Sequence, residues 1–186
     1  MNYSYPRKKP SPVPKIIVTP EYLAKGSLKK SYTSTKLAFN VPWMGVVAMA
    51  FAKYPFFYNS LWNYMQPLTK SIEFDNLCKR LVIISKKKAL ELKPKPLIKN
   101  LKKIGYNNYE IKKINEVNQI FTTGNMPYLI MATIARIFLE EGELLNTKSF
   151  KKNNRISAKS DKSYLLLIEQ HHANKSLKEI YKSIKS

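Results

Sequence analysis

VPWMGVVAMAFAKYPFFYNSLWNYM, from Val41 to Met65, is the most apolar stretch of a chain otherwise crowded with lysine. Whether it spans a membrane or folds into a core decides the fold. A membrane-spanning helix needs about 20 consecutive, mostly apolar residues. Here the run meets Lys53 after twelve residues, then Pro55, then Asn59. It is too short and too interrupted, and it reads as two buried helices. The first covers 42–53 and is entered through Pro42, where a missing N–H costs little. Tyr54-Pro55 then marks a break or kink. The second covers 55–69, with Phe57, Leu61, Tyr64 and Leu68 on one face.

The flanks extend this helical pattern. PEYLAKGSLKKSYTSTKLA predicts an amphipathic helix over 20–38, with Tyr22, Leu23, Leu28, Tyr32 and Leu37 inward and Gly26 as a weak point. A further helix is expected over 71–91, with Phe74, Leu77, Leu81 and Ile84 at helical spacing. Ser71 is placed to cap it, and Glu73 and Asp75 complement its dipole. KPKP at 93–96 ends that run, and PLIKNLKKIG gives a short helix closed by Gly105. Another helix starts from Asn107 or Asn108 and runs to about Phe121. TTGN, residues 122–125, reads as a loop, and a last strongly apolar helix follows from Met126-Pro127 to about Glu141. No alternating strand pattern of useful length occurs, so the expected fold is all-α.

The 186 residues suit one domain or slightly more. The net charge is +21, yet 29 of the 33 basic residues are Lys and four are Arg: Arg7, Arg80, Arg136 and Arg155. Arg is the usual tool for bidentate phosphate and base contacts, so its scarcity argues against a nucleic-acid partner. The wealth of Lys, Ile, Asn and Tyr reads as coding bias, which is compatible with a general attraction for small anions. Cys78 is the single cysteine and reads as a small buried hydrophobe. His171 and His172 are adjacent and lack neighbouring carboxylates, a poor metal-ligand set. The opening MNYSYPRKKPSPVPK lacks the apolar core of a signal peptide. The expectation is a mobile Pro/Lys arm over 1–15, with the cytoplasm as default.

Residues 146–162, rich in Lys, Asn and Ser, read as a linker. SYLLLIEQHHANKSLKEIYKSIKS, residues 163–186, then gives a short apolar segment and an amphipathic helix bearing Leu177, Ile180, Tyr181 and Ile184. It echoes IIVTPEYLAKGSLKKSYTSTKLAF: both have an apolar opening, a polar turn, and then SLKKSY or SLKEIY. The match is weak and suggests an internal repeat whose second copy has only begun.

Three segments in order carry a resemblance: NVPWMGVVAMAFAKYPFF, PLIKNLKKIGYNNYEIKKINEVNQIFTTGN and PYLIMATIAR. Together they resemble the first half of the DehI-type 2-haloacid dehalogenases, also called halocarboxylic acid dehydrogenases. The resemblance covers roughly 16–186 and rests on the ordered set, since no single motif is strong. It implies an all-α pseudo-dimer of two related repeats with AhpD-like helices and a pocket between them. The first repeat would be 16–145 and the start of the second 163–186. It also implies hydrolysis of 2-haloalkanoic acids of either hand by a carboxylate-activated water. No ester intermediate, metal or organic cofactor is implied.

Displacement beside a carboxylate needs a base to deprotonate water, donors for the substrate carboxylate, and an apolar or aromatic cradle for the halide. By the resemblance, Trp43 is the pocket aromatic and halide-side contact, and Asn125 orients water or substrate. Val46 stands where the family has an aromatic, so that wall is altered, and Tyr128 is a further pocket candidate. The residues alone equally allow Trp43 and Val46 as core and Asn125 as a helix cap. The family's catalytic aspartate falls beyond the first helix of the second repeat, and no residue here matches it. Asp161 lies in the linker, and the other carboxylates read as caps and surface charges. The expectation is a truncated chain lacking its own base. A missing second repeat, or a second copy in a homodimer, would complete it around a small-molecule 2-haloacid. The alternative is a small basic helical module binding acidic or nucleic-acid partners.

Overall fold

The computed structural model describes residues 17–141 and 173–185. Among these residues there are seven α-helices and no β-strand, as the all-α reading expected. A single 3-10 turn, Glu21–Leu23, precedes α1, Gly26–Phe39. α2 is Val46–Ala52, α3 Pro55–Thr69, α4 Ile72–Glu91, α5 Ile98–Lys103, α6 Asn108–Glu141 and α7 Lys175–Lys185. The expected arm over 1–15, the linker over 146–162 and the first residues of the 163–186 segment lie outside the described residues. Among the described residues no helix is long and apolar enough to cross a membrane.

Helix α3 sits at the centre and packs against α1, α2, α4 and α6, while α4 lies along α6. Leu61 and Met65 of α3, Ala48 of α2, and Met131 and Ala135 of α6 are sealed from solvent. The buried stripe of α3 is Tyr58, Leu61, Trp62, Met65 and Thr69, so the expected Phe57, Tyr64 and Leu68 are its half-buried flanks. The stripe turns this way because its aromatics carry polar handles that find partners inside. Tyr58 and Thr35 share a hydroxyl–hydroxyl bond, and Trp62 Nε1 donates to Ser34 Oγ at 3.2 Å.

Several local signals hold. Ser71 Oγ accepts from the Phe74 amide at 3.0 Å and starts α4 as expected. Asn107 and Glu110 form a reciprocal capping box at the head of α6, with bonds of 2.8 and 3.0 Å. Gly105, at φ 102°, follows α5.

Four expectations fail. The helix over 20–38 is interrupted at Ala24-Lys25, and its upstream part is only the 3-10 turn. Tyr22, Leu23 and Leu37 face solvent, Leu37 at 73 % exposure, while Tyr32 is buried. The first core helix begins at Val46, not at Pro42. In α4 only Phe74 is fully buried; the face toward the core continues through Cys78 and Leu81, so Leu77 lies off that face, and Ile84 lies beyond it. Residues 122–125 are not a loop, since α6 passes through them without interruption.

Candidate functional site

The site begins with the end of α1. Asn40 adopts the left-handed conformation at φ 52°. Val41 N–H then reaches back to Lys36 O at 3.0 Å, and Asn40 N–H to Leu37 O at 3.2 Å. This paired bond pattern closes a helix and reverses the chain. It explains why VPWMG is an irregular turn rather than the first turn of α2. Val41, Trp43, Met44 and Gly45 are all drawn inward.

Trp43 lands on the middle of α6. Its ring centroid is 4.9 Å from that of Phe121 and 6.4 Å from that of Tyr128. The approach depends on Gly124: a Cβ there would lie 2.5 Å from Trp43 Cη2 and 3.0 Å from Val41 Cγ1. Gly45 allows the matching approach from the other side, because its Cβ would lie 2.8 Å from the Tyr128 ring. Tyr128 OH donates to Trp43 O at 2.6 Å, and its ring meets Phe39 edge-on at 5.1 Å. Burial pushes the Tyr128 phenol well above its usual pKa. It is a neutral donor already committed to a carbonyl, not a general base.

This packing explains how α6 survives a glycine and a proline. Pro127 removes one helical hydrogen bond, and an interior proline costs about 3 kcal/mol or more. Thr122 and Thr123 satisfy their hydroxyls within the helix, on Asn118 O at 2.7 Å and Gln119 O at 3.0 Å. Met126, Tyr128, Ile130, Met131 and Ala135 are buried just beyond. Their burial together with that of Trp43 outweighs the local cost, since each large apolar side chain contributes about 1.5–3 kcal/mol.

Of the four residues singled out in the sequence, the structure brings Trp43 and Tyr128 into contact, where the Val41–Gly45 turn meets α6. Both are buried. Val46 opens α2 directly after Gly45 and is 67 % exposed, so its reading as a core residue fails. Asn125 is exposed in mid-helix, so its reading as a cap fails too. It lies one turn from both Phe121 and Tyr128, the spacing at which helical neighbours meet. Phe121 and Gly124 were not singled out, since nothing local marks a phenylalanine or a glycine as the seat of a distant indole. Glu21 was missed for the same reason: it is only half-buried, yet its Oε2 accepts from the Met44 amide at 3.0 Å, a role beyond that of a cap or surface charge.

Other chemistry is sparse. Burial lifts the Cys78 thiol to about 11, which keeps it protonated and fits its reading as a small hydrophobe. Among the described residues no group of three or more His, Cys, Asp or Glu comes together. An open depression of about 650 Å³ runs along the first half of α6, from Asn108 to Ile120. It contains none of the four candidates and stops one residue short of Phe121.

No family model matches the chain. It is similar to the (R)-2-haloacid dehalogenase of Rhizobium sp. (strain NHG3), at 34 % identity over 184 residues, covering 97 % of this chain and 70 % of that protein. It is also similar to the (R)-2-haloacid dehalogenase of Pseudomonas putida, at 29 % identity over 186 residues, covering 95 % of this chain and 60 % of that protein. Among solved structures, D-2-haloacid dehalogenase in complex with L-LA superposes with a TM-score of 0.72 at 28 % identity, covering 92 % of this chain and 60 % of the other. A mutant of D-2-haloacid dehalogenase with D-2-CPA gives a TM-score of 0.71 at 27 % identity over the same shares. The chain thus spans 60 to 70 % of the length of the proteins it matches.

Proposed function

Because the chain belongs to the 2-haloacid dehalogenase family, we propose that it builds one side of a pocket for hydrolytic dehalogenation of 2-haloalkanoic acids. The observation that carries this reading is the meeting of the Val41–Gly45 turn with α6. Trp43 and Tyr128 come from segments some 80 residues apart and pack together there, with Val46 three residues beyond Trp43 and Asn125 one turn before Tyr128, in a chain whose relatives are dehalogenases. The relatives' names specify the (R) or D hand, so the D enantiomer is the first substrate to try, with the L enantiomer beside it.

Each residue then has a role set by its chemistry. The indole of Trp43, seated on Phe121, supplies an aromatic surface and an N–H toward the departing halide. The exposed amide of Asn125 holds the attacking water or the substrate carboxylate. Tyr128 keeps Trp43 in place through its carbonyl. Val46 makes a smaller wall than an aromatic would, leaving room for the substituent on the reacting carbon.

The water-activating carboxylate comes from outside the described residues. Glu91, Glu116, Glu140 and Glu179 are paired with Lys88, Lys113, Arg136 and Lys182 on the surface. Glu110 is committed to its capping box, Glu21 to the Met44 amide and Lys36, and Glu73 and Asp75 sit in the first turn of α4. Direct displacement by water then needs no covalent intermediate. A basic module for acidic or nucleic-acid partners is not favoured, since the relatives are enzymes acting on small molecules.

The test is halide release by the purified chain from D- and L-2-chloropropionate, supplied separately, with Asn125→Ala as control. Release that the control loses supports the pocket, and size-exclusion chromatography of the active form then shows whether a second copy supplies the base. Release that Asn125→Ala leaves unchanged would place the chemistry elsewhere. No release by the chain alone sinks the self-sufficient homodimer and leaves the wall awaiting its carboxylate.

A further inference from the structure

The peptide unit joining Trp43 to Met44 is held at both ends. Its carbonyl accepts from Tyr128 OH at 2.6 Å, and its N–H donates to Glu21 Oε2 at 3.0 Å. The second bond comes from an unexpected place. Glu21 opens the 3-10 turn before α1, whose side chains contribute nothing to the core. Its other carboxylate oxygen pairs with Lys36 Nζ in the last turn of α1. Lys36 is tied to the same loop a second time, since its carbonyl receives the Val41 amide at 3.0 Å.

The loop from Val41 to Gly45 belongs to no helix. Its conformation decides where the Trp43 indole points, because fixing the 43–44 peptide at both ends fixes ψ of Trp43 and φ of Met44, and with them the path of the backbone that carries the Trp43 side chain. Met44 is only 4 % exposed. A buried amide without a partner is costly, so a peptide rotated away from Glu21 is penalised. Tyr128 alone leaves the N–H end unheld. A carboxylate on that amide makes a charge-assisted bond, stronger than a neutral one. Lys36 holds the carboxylate in place.

We propose that Glu21, held by Lys36, is a positioning residue for Trp43: it locks the 43–44 peptide from the N–H side and so sets the direction of the indole. Calling that direction the substrate side rests on the proposed function; the lock itself does not.

The experiment reads the lock without catalysis. The full chain is labelled with 5-fluorotryptophan, which gives two 19F signals, one each from Trp43 and Trp62, assigned with Trp43→Phe. Glu21→Ala is expected to shift or split the Trp43 signal and leave that of Trp62 in place. Glu21→Gln, whose amide oxygen still accepts from Met44 N–H, is expected to restore the Trp43 signal. Lys36→Met is expected to shift it in the same direction as Glu21→Ala, by a smaller amount. An unmoved Trp43 signal in Glu21→Ala overturns the proposal. So do equal shifts at both tryptophans, or a failure of Gln to restore the signal. Halide release tests the proposed function separately, so either idea can fail alone.

Discussion

Gly124 and Trp43 are so closely fitted that a single carbon on the glycine would enter the indole, lying 2.5 Å from Cη2 and 3.2 Å from Cζ2. Alanine in mid-helix would ordinarily stabilise by about 1 kcal/mol over glycine. Here the obstacle is a rigid ring packed against Phe121 and Tyr128, and overpacking costs about 1–3 kcal/mol. Gly124→Ala is therefore expected to be destabilised on balance, with a lower urea midpoint and a changed tryptophan emission. A variant as stable as the parent would show that the ring can move aside.

Removing the Tyr128 hydroxyl leaves the buried Trp43 carbonyl without its donor. Tyr128→Phe is expected to lose about 1–3 kcal/mol. Urea unfolding followed by circular dichroism measures it, and an unchanged free energy would mean that this carbonyl finds another partner.

Val46 offers the opposite case. It is exposed, so a larger aromatic there meets open space. Val46→Phe is expected to change stability by no more than about 0.5 kcal/mol, the range for ordinary surface substitutions. A loss of several times that would return Val46 to the core. In a chain that releases halide, the same change should narrow the range of accepted 2-substituents.

Alkaline pH is expected to weaken the fold. Burial raises Tyr58 from 10.0 to about 12 and Cys78 from 9.0 to about 11, and it raises Tyr128 as well. The folded state therefore favours the neutral forms. Their stabilisation is fully present below pH 9 and is lost as pH rises through 9–12, where the unfolded groups ionise first. For Tyr58 the gap corresponds to about 2–3 kcal/mol. The other groups of the chain are common to the parent and to a Tyr58 variant. The clean measurement is thus the difference between the parent and Tyr58→Phe in melting temperature from pH 8 to pH 11.5. The variant should show the shallower fall, and identical slopes would contradict the assignment.

Ser71 caps α4 from a buried position, 1 % exposed. Ser71→Ala is expected to cost about 1 kcal/mol, as lost N-caps typically do. Chemical denaturation against Asn107→Ala, whose capping box is exposed, should show the larger loss at Ser71.

Where helix formation depends on neighbours three and four residues away, the amino-acid order was enough to reveal it. Ser71 before Phe74, Asn107 before Glu110, and the apolar spacing along α3 and α4 are all local, and each helix they announce is present. The same holds for the rejection of a membrane span, which Lys53 and Pro55 decide by position alone. The resemblance to a family singled out four candidate residues without any account of how Trp43 would come to pack on Tyr128.

Tertiary structure decided what local rules misjudge. Gly124 and Pro127 look like a break, yet α6 continues because Trp43 arrives from 81 positions upstream and needs that glycine's missing side chain. Val46 lies in the most apolar stretch of the chain and still faces solvent, because Asn40 turns the backbone and sends Trp43 and Met44 inward instead. Glu21 is an ordinary glutamate in sequence; its importance comes from an amide 23 residues away. Local propensities are worth tenths to a few kcal/mol per residue, and burial of one aromatic side chain rivals the largest of them. Wherever two distant segments must share space, packing therefore overrules the local signal.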